Sequence, residues 1–252
     1  MMALCHLHFK SEILKQDTAL FVALPSTKEH TPVLFLFHGL SGDHTSWIRR
    51  SSAERYAEAT GIAIVMPEAH RSFYTNMPIG YRYFDYVSLE VPELTSHVFP
   101  YLATDPKKRG VAGLSMGGYG AFKVALSYPE DYAIAGSFSG ALDVRSLSRG
   151  EEGWEAEYRG IFGDPLTFLP ENDLFHLLGS AYEKGSRLPF LYQTCGTEDF
   201  LLENNRAFRR KLEANPKIET LYLESRGDHE WDYWDRQLNA FMKAFQRLIS
   251  KE

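Results

Sequence analysis

Three side chains, Ser115, Asp199 and His229, occur in the order and settings that covalent acyl transfer through a serine requires. Ser115 stands in Gly113-Leu114-Ser115-Met116-Gly117, after the apolar Val111-Ala112 and before a helix-compatible run that Pro129 stops. This context reads as strand, sharp turn, helix. A serine on such a turn takes a strained backbone conformation, and the flanking glycines remove side chains that would collide with the incoming strand or outgoing helix. The hydroxyl is thereby exposed above the sheet. Without partners the same stretch would be only a glycine-rich turn that binds a phosphate or nothing, so the later residues decide.

A serine hydroxyl is too weakly acidic to attack an ester alone. It needs a histidine to take its proton and return it to the leaving group, and a carboxylate to hold that histidine. At the carboxyl edge of a parallel sheet these partners follow in the order Ser, Asp/Glu, His, each after a later strand. Of nine histidines only His176 and His229 follow Ser115, and His176 has no strand before it. His229 stands in Gly227-Asp228-His229-Glu230-Trp231, just after the strand-like 218–223. Asp199 closes Gly196-Thr197-Glu198-Asp199 after the apolar 188–195, with Glu198 as the neighbour that could replace it. Asp199 would fix the imidazole tautomer and stabilise the imidazolium. The negative tetrahedral oxygen requires backbone donors, expected from the Met116 and Leu40 N–H groups. His38, beside Leu40, reads as a structural hydrogen bonder rather than a base.

The elements that must position these residues alternate between strands and helices. Strands are expected at 19–24, 32–37, 61–67, 132–140, 188–196 and 218–223, the last nearer an edge. The wholly apolar 32–37 is what a strand buried on both faces looks like. Helices are expected over 43–60, 84–102 with Pro92 at a bend or restart, 204–215 and 233–249. The aromatic and Pro/Gly-rich 68–83 reads as a pocket wall, and the irregular 143–187 as a cap-like excursion over the sheet. The alternation implies a doubly wound, mostly parallel α/β sheet in a single domain over 1–252.

Composition narrows the function classes. The formal net charge is −6 and no Lys/Arg cluster exceeds short runs such as Lys107-Lys108-Arg109, which argues against nucleic acid as a partner. His6, His8, Lys10, Glu12 and Lys15 break any signal-peptide core, and no stretch is long and apolar enough to span a bilayer. The two cysteines, Cys5 and Cys195, form no CxxC or disulfide framework, which fits a reducing cytoplasm.

With these residues assembled, the chain resembles the esterase D and S-formylglutathione hydrolase branch of the α/β-hydrolases, and within it the small bacterial tributyrin esterases. The resemblance rests on Phe37-His38-Gly39-Leu40-Ser41-Gly42, Gly113–Ala121, Tyr128-Pro129-Glu130-Asp131-Tyr132, Gly196–Asp199 and Gly227–Trp231. It implies the α/β-hydrolase fold, Ser115, Asp199 and His229 as a catalytic triad, and the Leu40 and Met116 amides as an oxyanion hole. It also implies a serine carboxylesterase on small acyl esters, acetyl to butyryl, with no cofactor and no metal. A homo-oligomer is left open. Related activities implied as alternatives are S-formylglutathione thioester hydrolysis and removal of acetyl or feruloyl groups from carbohydrates. A catalytically silent hydrolase-fold binding protein is the rival from another class.

Overall fold

The computed structural model describes residues 2–26, 30–147, 154–164, 168–215 and 217–250. Its centre is an eight-stranded sheet in the order β1-β2-β4-β3-β5-β6-β7-β8. The strands are β1 Ala3–Lys10, β2 Asp17–Leu24, β3 Val33–Phe37, β4 Ala63–Pro67, β5 Arg109–Leu114, β6 Ile134–Phe138, β7 Phe190–Gly196 and β8 Thr220–Ser225. β2 is antiparallel to both neighbours, and every other pair from β3 to β8 is parallel.

The apolar runs are central strands because each strand must feed two cores. In β3, Val33, Phe35 and Phe37 join a cluster on one face, and Leu34 and Leu36 join a second cluster on the other. The period-two alternation of strand side chains makes this split. Helices cover both faces. α5 (Met116–Ser127) packs on β5, β6 and α8 (Leu174–Glu183), while α2 (Ala53–Thr60) contacts α10 (Trp231–Ile249) on the opposite side. In α10 the buried Trp234, Leu238, Phe241, Met242 and Phe245 recur at helical spacing and form its inward stripe. An open, mostly parallel sheet covered on both faces is the α/β-hydrolase arrangement, as expected.

Several elements differ from the sequence reading. β1 was not among the expected strands: it alternates outward His6, His8 and Lys10 with half-buried Cys5, Leu7 and Phe9, as an edge strand does. The helix over 43–60 is two, α1 (Ser46–Arg50) and α2, because Ser51 is extended and the Ser52 amide donates to Asp235 on α10. The expected helix over 84–102 comprises α3 (Tyr83–Asp85), a π-turn at Tyr86–Glu90 and α4 (Val91–Val98). Pro92 is the second residue of α4, directly after the π-turn, so the expected bend or restart falls where the helix changes its hydrogen-bond period. Within 143–187 lie α6 (Val144–Leu147), α7 (Trp154–Phe162) and α8, and α9 (Leu202–Glu213) follows β7. The 148–153 and 165–167 parts of that excursion lie outside the described residues. No helix among the described residues is long and apolar enough to cross a membrane.

Candidate active site

Ser115 is the junction between β5 and α5, with φ 53° and ψ −118°. That positive φ is unusual for a residue with a Cβ and is sustained only by surroundings that permit it. The glycines supply the permission. A Cβ on Gly113 would lie 2.4 Å from the Gly117 carbonyl, and one on Gly117 would lie 2.4 Å from the Phe37 carbonyl oxygen. Strand and helix can therefore meet closely enough to turn the chain within a single residue, and the hydroxyl stands at the carboxyl edge of the sheet.

The two loops after β7 and β8 bring its partners. His229 Nε2 lies 3.0 Å from Ser115 Oγ, and His229 Nδ1 lies 2.9 Å from Asp199 Oδ2. Since the carboxylate can only accept, Nδ1 carries the proton and Nε2 faces the hydroxyl as an acceptor. Burial of Asp199 would push its carboxyl up, but the hydrogen bond and charge of His229 and the Leu201 amide, 2.8 Å from Oδ1, hold it below its ordinary value. It stays ionised beside the imidazole. The His229 ring is fixed edge to face against Trp234, 4.9 Å between centroids, with Phe200 4.6 Å away on another side. Glu198, the alternative acid, instead accepts from the Gly227 amide, so it braces the histidine loop rather than touching the ring.

The Leu40 and Met116 amides carry no intramolecular hydrogen bond among the described residues, as donors reserved for a ligand oxygen would. The loop that presents Leu40 is held from below by His38, the structural hydrogen bonder expected from the sequence, and by Tyr74 and Glu68, which sequence reading did not find. His38 uses both ring nitrogens, Nδ1 at 2.8 Å from the Gly39 carbonyl oxygen and Nε2 at 3.0 Å from the Ala69 amide. Tyr74 donates to the His38 carbonyl. Glu68 accepts from the His44 amide and ring and from the His70 amide. Burial opposes its charge, yet the His38 and His44 imidazoles and the His70 amide hold its carboxyl well below the usual range.

Beside Ser115 is a cavity of about 270 Å³ whose lining includes Leu40, Arg50, Phe200, His229, Trp231 and Trp234. Arg50 lies over the Trp231 ring at 5.8 Å. The Trp234 indole N–H is buried without a partner among the described residues. The expected wall over 68–83 does not line this cavity: Phe73 and Tyr74 are buried, Tyr74 stacking on Phe37 at 4.5 Å, because they serve the core beneath the Leu40 loop. Nor does the described part of 143–187 line it. Tyr158, Phe162 and Phe168 pack with Phe73 and Tyr119 instead. Cys195 is buried and unpaired, and burial pushes its thiol up to about 12, so it is an inert thiol.

A half-buried serine hydroxyl with an aligned imidazole and carboxylate, at the carboxyl edge of this sheet, defines the class of serine hydrolases with the α/β-hydrolase fold. The family described as "Putative esterase" matches residues 11–245, and the chain belongs to that esterase family. It is 29% identical over 260 residues to an acetyl esterase of Caldicellulosiruptor saccharolyticus, spanning 95% of this chain and 97% of that one. Among solved structures it resembles FphF, a fluorophosphonate-binding serine hydrolase of Staphylococcus aureus. The TM-score is 0.89 and the identity 30%, with 97% of this chain and 98% of that chain covered. The S-formylglutathione hydrolase FrmB of the same organism superposes with TM-score 0.88 at 31% identity, covering 98% and 99% of the two chains. The protein is an esterase D-like α/β-hydrolase and a carboxylic ester hydrolase.

Proposed function

We propose that this chain is a serine carboxylesterase acting through an acyl-enzyme, with Ser115 as nucleophile, His229 as proton carrier and Asp199 as its orienting carboxylate. The observation that carries the reading is the unbroken line Ser115 Oγ, His229, Asp199 at 3.0 and 2.9 Å. Ser115 Oγ attacks the acyl carbon while its proton passes to His229 Nε2. Asp199 stabilises the imidazolium, and the Leu40 and Met116 amides hold the tetrahedral oxyanion. Collapse expels the alcohol, which leaves with the proton from Nε2. A water molecule, deprotonated by the same nitrogen, then releases the acid and restores Ser115. The free cysteines support a cytoplasmic setting.

Reaction with a fluorophosphonate, followed by intact mass, tests the assignment. One adduct per chain is expected on the native protein and none on Ser115→Ala. An unlabelled native protein would leave only a binding function for the fold.

The substrates we propose are esters of short acids, acetyl to butyryl. A cavity of about 270 Å³, below the usual 300–1,000 Å³ of drug-sized sites, supports this. Each added methylene contributes about 0.8 kcal/mol while room remains, so kcat/KM should climb from acetate and collapse where the cavity ends. A p-nitrophenyl series from acetate to palmitate reads this directly, and a maximum at palmitate overturns it. A thioesterase reading rests on Arg50, a cation in the cavity wall suited to a carboxylate on the leaving group. S-formylglutathione run alongside the series, with Arg50→Ala as the paired variant, decides between them.

A further inference from the structure

At the outer edge of the sheet, two histidines of β1, His6 and His8, stand beside His44, whose ring is backed by the buried carboxylate of Glu68. His6 Nε2 on β1 and His44 Nε2 on the loop after β3 lie 3.1 Å apart. Their ring centroids are 5.1 Å apart and the rings are inclined by 31°. Behind them, His44 Nδ1 lies 2.8 Å from Glu68 Oε2, a carboxylate with little exposure. That contact requires the proton on Nδ1 and leaves the Nε2 lone pair directed away from Glu68. His8, two residues along the same exposed face of β1, brings its ring centroid to 4.3 Å from that of His6. Phe21 stacks on the His6 ring at 4.2 Å and restricts it.

We infer that His6 and His44 form a binding site for a divalent transition metal ion, with Glu68 fixing the His44 tautomer from behind. Two imidazole nitrogens bound to one tetrahedral ion at about 2.0–2.1 Å are about 3.3 Å apart, and at a right angle about 2.9 Å, so 3.1 Å needs little movement. A carboxylate on the far nitrogen of a metal-binding histidine is the usual support for such a ligand. On binding, His6 moves its proton to Nδ1 and both Nε2 lone pairs face the ion. Among the described residues no group of three or more His, Cys, Asp or Glu side chains is placed to hold an ion, so water completes the shell unless His8 turns inward. The ion ties β1 to the loop that carries Leu40 four residues before His44. Imidazole donors and an open shell favour Cu(II) over Zn(II) and Ni(II).

Calorimetric titration of the full chain with Zn(II), Cu(II) and Ni(II) tests the site. Expected are one ion per chain, a metal-dependent rise in Tm reversed by chelator, and affinity lower by more than about tenfold in His6→Ala and His44→Gln. His176→Ala, on α8, should bind as the native chain does. Electron paramagnetic resonance of the Cu(II) form should report two imidazole nitrogens in the native chain and fewer in His6→Ala. His6 is exposed, so that variant retains its fold, which its circular dichroism checks. Binding that survives His6→Ala unchanged, or no binding at 100 μM free ion as a rough ceiling, overturns the proposal.

Discussion

Lys123 lies on α5, two turns beyond the serine, and is 2% exposed. Its Nζ donates to Asn172 Oδ1 at 2.6 Å and lies 4.7 Å from the Phe84 ring centroid. Burial lowers its pKa from 10.5 to about 7, against the opposing pull of Glu171 and Asp85. The unfolded chain keeps this proton to about pH 10.5, whereas the folded chain releases it near 7. Between those values the unfolded state binds more protons, so stability from this group rises with pH at about 1.4 kcal/mol per pH unit. Below about 7 both states are protonated and the slope vanishes. At pH 7 the burden on the folded state is about 4 kcal/mol. Lys123→Met, close in volume, removes that burden but leaves Asn172 Oδ1 without its donor, a loss of about 1–3 kcal/mol. The variant should therefore be more stable than the native protein at pH 7. The Asn172 loss and other groups are common to every pH, so the difference between the two proteins isolates the lysine. From pH 7 to 9 the native protein should gain about 2 kcal/mol on Lys123→Met, measured by urea unfolding of both. A difference that stays constant within about 0.5 kcal/mol over that interval would refute the lowered pKa and leave Lys123 an ordinary buried ammonium.

Asp199→Asn should keep the fold but present the wrong histidine tautomer to Ser115, lowering kcat by about 10⁴-fold on p-nitrophenyl acetate; a loss under about tenfold would remove Asp199 from the triad. Because His229 must be neutral to take the serine proton, kcat/KM should fall on the acid side, and a flat profile down to pH 4 would exclude it as the base. Gly117→Ala places a methyl 2.4 Å from the Phe37 carbonyl oxygen, so urea unfolding should show a loss of more than about 2 kcal/mol, and native-like stability would mean the turn is not close-packed.

The parts of the site legible in the sequence are those where chemistry or backbone geometry dictates a residue type. Ser115 was legible because the close approach of α5 to β5 admits no side chain at 113, and its approach to the end of β3 none at 117, and that requirement is written locally as glycine. Asp199 and His229 were legible because parallel strands deliver their following loops to one edge, so chain order alone reduces the candidates to two histidines. The supports under Leu40 follow a different rule. The role of His38 was legible from its place beside Leu40, but its partners Glu68 and Tyr74 reach it from distant segments through bonds that many polar residues could make, and no spacing along the chain announces them. The aromatic 68–83 shows the cost of reading composition without partners: Phe73 and Tyr74 satisfy the same hydrophobicity whether they face a cavity or the core, and only the stacking on Phe37 distinguishes the two. β1 was hidden for a related reason, since its His6/His8/Lys10 alternation is too polar to signal a strand until β2 pairs with it. A polar edge discourages pairing with another chain, which accounts for Lys10 but not for two outward histidines lined up with a third and a buried carboxylate. Edge protection would be served equally by lysines, so replacing His6 and His8 with Lys should preserve solubility and Tm without metal while removing the metal-dependent rise. If that rise persisted in the double variant, the histidines would be edge residues and nothing more.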